Sequence, residues 1–425
     1  MTTHSVLLER LAPSDAGGAR AERGRVWFDA HGLPDPHAEA WRYTPLTEIR
    51  SALEQARPAP AGHSFSGRSA IDELAGDHGG PRLVFVNGVF AADLSDTESS
   101  DDGLWLGDAD ALLPRRAPGA PTPLDEPVDG FHALNWAAGV DVAAVLADPE
   151  ARIDTTVHVV HVATSGDDIS ISHPRTVIRV GSGASLNVIE TFVGTGGRSL
   201  TNASTRIVAS QDSTLTYHRV IHQPAGAIHV GRTGIEQGAR STVRATAIVT
   251  GGDIVRNAVD VGLAGDGAVV ELEGLYVTDG RERHDNVVMV DHAASHCKST
   301  QRYKGIVDDH GRGSFSGHVI VRHGTVGTDA VQSNPNLVLT PTAQADTRPW
   351  LEIFADDVRC AHGATVGRLD DDAYFYLRSR GIPAEQARAM LIAAFAAEVV
   401  DAIELDSLRE RLADWLHTRT DTEVR

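Results

Sequence analysis

GSGASLNVIE (181–190), SQDSTLTYHR (210–219), GARSTVRATAIV (238–249), GDGAVVELEGLYV (265–277) and GRGSFSGHVIV (311–321) each open on a turn and run into a strand-like alternation. With Gly183, Asp212, Arg240, Gly267 and Arg312 as equivalent turn positions, the spacings are 29, 28, 27 and 45 residues. Three residues after each turn an apolar or aromatic side chain returns: Leu186, Leu215, Val243, Val270 and Phe315. A turn and strand recurring at a near-fixed interval is the pattern of stacked coils, in which no coil buries its own apolar face and the stack shares one core. This predicts a parallel β-helix, with an ordinary β-sandwich as the competing architecture. The longer last interval must hold extra strand material, Asn286-Val287-Val288-Met289-Val290, and contains Cys297.

Composition supports the slim coil. Of 425 residues, 41% are hydrophobic but only 5% aromatic, while 41 are glycine, so the core must be built from small and β-branched side chains. The formal charge of −20 argues against a nucleic-acid partner, because phosphate neutralisation needs a basic face. Two cysteines, Cys297 and Cys360, exclude a disulfide scaffold. The apolar run Val6-Leu7-Leu8 is too short for an export signal and Ala389–Ala397 too short for a membrane span, so a cytoplasmic, membrane-free protein is expected.

Around the core, residues 1–150 read as a mostly helical α/β region broken by Arg57-Pro58-Ala59-Pro60 and by the loop 116–121. Leu83–Phe90 reads as a hairpin about Asn87-Gly88, and Phe131–Leu146 as a helix. The core is expected over 151–368 and a helical unit over 369–425. There, Asp370 or Asp371 can cap a first helix that stops at Gly381, and Pro383 can open the first turn of a second. Ile392, Phe395, Val399 and Ile403 form an apolar stripe on that second helix, and Ser407 with Glu410 has capping-box spacing before a third. Such a unit is suited to docking.

Chemistry-bearing residues are sparse. Gly194-Thr195-Gly196-Gly197 and Gly251-Gly252 match neither a phosphate loop nor a dinucleotide fingerprint and read as coil corners. The pairs Asp308-Asp309 and Asp356-Asp357 and the run Asp370–Asp372 could serve a carbohydrate-active β-helix enzyme. Neighbours on a strand point to opposite faces, however, so turns and caps account for them better. Cys360-Ala361-His362 places a thiol and an imidazole two residues apart, on one face of any strand. Two thiols cannot complete a four-ligand site unaided.

At that point the chain resembles a known family. Thr347–Gly367 (TRPWLEIFADDVRCAHGATVG), Asp371–Pro383 (DDAYFYLRSRGIP), Tyr303-Lys304-Gly305, Thr328–Asn334 (TDAVQSN) and Glu39–Leu46 (EAWRYTPL) closely resemble the SufB/SufD family of iron–sulfur cluster assembly proteins. The stretch Leu337–Asp346 lacks the cysteine that the B subunit carries there, so the likeness is to the D subunit. The resemblance implies a right-handed parallel β-helix flanked by N-terminal α/β and C-terminal α-helical regions. It also implies a non-catalytic scaffold that joins a SufB-like subunit and a SufC-like ATPase. The family motif falls on His362, with Cys360 beside it, as tentative iron ligands at the B–D interface, where a cluster is held transiently and none stably by the isolated chain. Tyr374, Phe375, Leu377, Arg378, Ile382, Pro383 and Phe395 fall on the SufC-binding region. A homodimer with inert cysteines is the structural alternative.

Overall fold

Left-handed corners set the architecture. A computed structural model of the chain describes residues 3–12, 18–99, 101–109, 127–166 and 168–421. The backbone turns at Gly183, Asp212, Arg240 and Gly267 with φ of 70°, 59°, 55° and 72°. Each corner amide donates to the carbonyl just before the next corner: Gly183 N to Gln211 O at 3.0 Å, Asp212 N to Ala239 O at 2.9 Å, Arg240 N to Asp266 O at 2.9 Å. The column does not continue through Arg312. It runs through His296 and Gly327, with φ of 59° and 68°, so the true steps after Gly267 are 29 and 31 residues. Arg312 instead opens a strand of the facing sheet, in register with Arg283, and Asn286–Val290 belongs to that sheet rather than to an insertion. The apolar beat does not mark His296, because its third following residue is Ser299, a buried polar group that hydrogen-bonds His292 Nε2 at 2.8 Å.

The strands form two long sheets, each built almost wholly of parallel neighbours two strands apart in sequence, a solenoid of about 8 turns. Residues 82–86 and 143–147 already pair in parallel with the strands Arg152–Ala163 and Arg175–Val180, so the sheets begin within the N-terminal segment. At this end short antiparallel strands, Val89–Phe90 and Leu104–Asp108, finish both sheets. The first closes the expected hairpin, with Asn87 and Gly88 at φ 55° and 82°. The expected helix over 131–146 is shorter. It spans Gly130–Ala138, capped by the Asp129 carboxylate, and Ala143–Ala147 is a buried strand. Val142 and Val145 supply β-branched side chains, and the pairing with Thr176–Val180 outweighs the helical spacing. The break at 116–121 lies outside the described residues.

Eight described helices are labelled in chain order: α1 (Thr3–Leu11), α2 (Gly18–His31), α3 (Leu46–Gln55), α4 (Arg68–Ala75), α5 (Gly130–Ala138), α6 (Asp371–Ser379), α7 (Ala384–Val400) and α8 (Asp406–Asp421). Helix α2 crosses α5 at Gly24, where a Cβ would lie 2.7 Å from the Ala133 carbonyl, so only glycine permits the approach. The segment Glu39–Leu46 is a strap on the outer sheet face. Trp41 stacks on Phe131, centroids 5.1 Å apart, and carries the Arg256 guanidinium 3.9 Å over its ring. Arg256 donates to Thr44 Oγ1 (2.9 Å), Ala40 O (2.9 Å) and the Asp285 carboxylate (2.7 Å), all at buried or half-buried positions. Replacing Arg256 by Ala leaves Asp285 buried without its cation. We expect a loss of roughly 3–5 kcal/mol in chemical denaturation, with a much smaller loss for an exposed pair such as Arg240–Asp212.

The interior column holds a charge cluster. Glu190 and Arg219, adjacent in register, are both buried, with Glu190 Oε2 3.0 Å from Arg219 Nη1. Thr205 and Tyr217 hydroxyls also donate to the carboxylate. Burial would raise the Glu190 carboxyl, but hydrogen bonding from His161 and the Arg219 charge hold it down to about 2. Several histidines behave oppositely: burial lowers His132 and His173 to about 3 and His218 and His292 to about 4. The unfolded chain takes up these protons near pH 6.5, whereas the fold refuses them until much lower pH. Stability is therefore full above about pH 6.5 and falls as pH drops toward 4, by roughly 1–2 kcal/mol per such histidine between pH 7 and pH 5. Denaturant midpoints at the two pH values check the direction.

Candidate functional site

The C-terminal end of the solenoid is built unlike the other. Strand Gln344–Ile353 pairs only with Arg312–Val321, and strand Val358–Gly367 only with Thr328–Val338, so each is the last strand of its sheet. Among the described residues no strand covers their outer edges, and their backbone donors and acceptors form an open template. Ile353, Phe354 and Val366 are exposed here. Trp350 stacks on His318 with centroids 4.3 Å apart, beneath the Arg348 guanidinium at 4.7 Å.

Cys360 and His362 lie on this last coil. Register places Cys360 beside Ala330 and His362 beside Gln332, both of which face the interior. The two donors thus share the inward side at the open mouth, as their spacing predicted. Cys360 is half-buried against Val319, Val321 and Ala330, and burial followed by the Asp329 charge raises its thiol pKa. His362 is exposed. Cys297 is elsewhere: it is buried at a corner two coils deeper, its Sγ 3.4 Å from Gly265 O, with a thiol raised by burial. The structure therefore groups Cys360 with His362 and leaves Cys297 apart. A thiol and an imidazole are suitable donors for iron, but two donors fall short of a closed shell.

A second surface lies on the C-terminal helices. Asp370 caps α6, its Oδ1 accepting from Asp372 N and Ala373 N at 2.9 Å each, and Gly381 ends it at φ 86°. No residue of α6 is buried; Phe375 is 73% and Tyr376 58% exposed, so the helix stands away from the solenoid. Tyr374 and Leu377 are half-buried, and Arg378 donates to Ile382 O at 2.7 Å, tightening the turn that ends in Pro383. Pro383 is the N-cap of α7 rather than its first helical residue. Tyr376 belongs to this exposed surface as well.

Helix α7 faces inward instead. Ile392, Ala396 and Val399, with Ile403 beyond the helix end at Val400 rather than on the helix as its spacing predicts, pack with Leu408, Leu412 and Leu416 against Ile248, Leu275 and Ile306 on the outer face of one sheet. Phe395 is on that attached side: Lys304 Nζ donates to its carbonyl at 2.9 Å and sits 4.8 Å over its ring. Helix α8 starts at Asp406, so Ser407 is no cap; its Oγ lies 2.8 Å from His78 Nδ1. The motif Tyr303-Lys304-Gly305 follows from strand alternation. Tyr303 fills the interior against Phe315, Lys304 reaches outward to α7, and a Cβ at Gly305 would strike the Tyr276 ring at 2.5 Å.

Residues 145–395 match the family model described as "SUF system FeS cluster assembly, SufBD core domain". The chain belongs to the SufB/SufD family. It is 30% identical over 385 residues to the iron–sulfur cluster assembly protein SufD of Escherichia coli (strain K12), covering 90% of this chain and 88% of the relative. Identity is 28% over 410 residues with a SufBD family protein of Synechocystis sp., covering 91% and 88%. With SufD of Bacillus subtilis (strain 168) it is 27% over 281 residues, covering 65% and 64%. The likeness is thus to SufD, and iron–sulfur cluster assembly is the function of the family. No described helix is long and apolar enough to cross a membrane.

Because His362 is exposed, His362→Ala is expected to leave the fold intact, with an unfolding free energy changed by no more than about 1 kcal/mol. Thermal denaturation checks this, and establishes that any effect on assembly arises from lost chemistry.

Proposed function

We propose that this chain is a D-type scaffold subunit that supports iron–sulfur cluster formation at a joint with a SufB-like partner, driven by a SufC-like ATPase. The observation that carries this reading is the open last coil, where Cys360 and His362 share the inward side beside two unpaired strand edges. Edges of this kind accept another chain by strand addition, which brings the partner's thiolates and carboxylates beside His362. Iron and sulfide are the cargo. Thiolate from the partner and neutral imidazole from His362 together supply what neither chain holds alone.

The ATPase engages α6 and the turn to Pro383. Exposed Phe375 and Tyr376 supply apolar rings for such a partner, flanked by a cleft of about 570 Å³ that Leu369, Tyr374 and Arg388 help line. Movement of the motor reaches the solenoid through α7, fixed by Lys304 and Arg302 to Glu398 at 2.6 and 3.2 Å. An ATP-driven rearrangement of that lever shifts the balance between closed and open forms of the joint. A carbohydrate enzyme is poorly supported, since the aspartates it needs have other work. Asp309 forms a corner at φ 48°, Asp357 accepts from Gly327 N, and Asp370 caps α6.

Two measurements test this. In anaerobic reconstitution with the B- and C-type subunits, His362→Ala should lower cluster yield at least several-fold while the complex still assembles; unchanged yield removes His362 from the mechanism. Phe375→Asp, at a position 73% exposed, should weaken ATPase binding by about tenfold or more, the loss of an aromatic anchor buried in the complex. Undiminished affinity places the ATPase elsewhere.

A further inference from the structure

The layer beneath His362 is built of amides. In the strand Thr328–Val338, Gln332, Asn334 and Asn336 all face the interior and are buried. Asn336 Nδ2 donates to Asn334 Oδ1 at 2.8 Å, Asn334 Nδ2 donates to Tyr303 O at 2.8 Å, and Asn336 Oδ1 accepts from the Tyr276 hydroxyl. These two amides have partners at both ends. Gln332 does not. Its Nε2 donates to Gln301 Oε1, one coil deeper, at 2.8 Å, while its Oε1 is buried with no partner. The residue is only 2% exposed, and Gly317 on the facing sheet admits it, since a Cβ there would lie 2.0 Å from Nε2. Gln332 is thus a held amide with one end committed and one acceptor left over, an arrangement that costs about 1–3 kcal/mol unless something uses the acceptor.

The next residue in that column is His362, in register with Gln332 on the same side of the last coil. A histidine that binds a metal through one ring nitrogen generally donates its other N–H to an oxygen acceptor, which fixes the tautomer and the direction of the lone pair. We propose that Gln332 is a positioning residue: its Oε1 accepts the ring N–H of His362 and leaves the opposite nitrogen, unprotonated, facing out of the coil toward incoming iron. The amide ladder Gln301–Gln332 anchors that acceptor in the solenoid interior. This places in the Thr328–Asn334 motif a task that its strand role alone does not require. The inference rests on the reading of His362 as an iron donor; Gln332 Oε1 has no partner in this structure, so the bond requires the exposed His362 ring to turn onto it, and that alignment is measurable without iron.

The test is nitrogen NMR on the full-length protein carrying ¹⁵N-histidine, with His362 assigned by the signals lost in His362→Ala. In the unsubstituted chain an observable, slowly exchanging His362 ring N–H is expected; an imidazole whose N–H exchanges at the free rate overturns the proposal, and this needs no variant to fold. Gln332→Met keeps the length of the side chain but removes the acceptor. It should shift the His362 tautomer ratio by roughly threefold to tenfold, the span of one neutral hydrogen bond, and Gln332→Glu, which retains an acceptor oxygen, should reverse that shift. An unchanged ratio in Gln332→Met refutes the alignment. If the shift is found but His362→Ala leaves cluster yield intact, the donor role fails and the alignment stands. If His362→Ala lowers yield while Gln332→Met leaves the ratio unmoved, the alignment alone fails.

Discussion

In-register parallel stacking is the constraint on which the molecule depends. From Ser185 onward each coil presents its inward side chains to the same columns as the coil before, so a residue's neighbours are set by its phase in the repeat. Leu186, Leu215, Val243 and Val270 form one such column, continued by Ser299, Ala330 and Cys360. The corners make this possible, because a backbone held at positive φ in each turn returns the chain to the next level. Stacking also creates an unavoidable problem: a solenoid must end. Here the N-terminal end closes with antiparallel strands and packed helices, while the C-terminal end stops with both sheets unpaired. The asymmetry places the donors where a second chain can reach them.

Most polar groups inside such a narrow stack answer one another. Glu190 meets Arg219 one coil on, with hydroxyls from Thr205 and Tyr217 completing the carboxylate's shell. Toward the open end the charge gives way to amides, and the final layer is Cys360 and His362. The outer faces carry the remaining assembly. The strap at Trp41 binds one sheet, and α7 and α8 bind the other, leaving α6 the least attached of the C-terminal helices.

Much of this was legible in the residues. Turn spacing disclosed the solenoid, Asn87-Gly88 disclosed the hairpin, and the spacing of Cys360 and His362 disclosed a shared face. The misreadings have physical causes. Like Asp212 and Arg240, His296 is a corner without glycine, but Ser299 hides the apolar beat that follows it, so the pattern leads instead to Arg312 of the opposite sheet. The helix beyond Ala138 was lost to sheet pairing, a tertiary effect that local periodicity does not report. The Glu190–Arg219 pair had a visible signal, opposite charges at the same phase of consecutive repeats. Its meaning needs the register. Gln332 had no signal by itself, since its spare acceptor is a property of the finished packing.

The central claim is that the last coil is completed by another polypeptide. Hydrogen exchange of the full-length chain, alone and mixed with the B-type subunit, measures this directly through the backbone amides of residues 344–367. The account predicts rapid exchange at the free outer edges in the isolated chain and strong protection there upon mixing. Stable complex formation with exchange over 344–367 unchanged would contradict it.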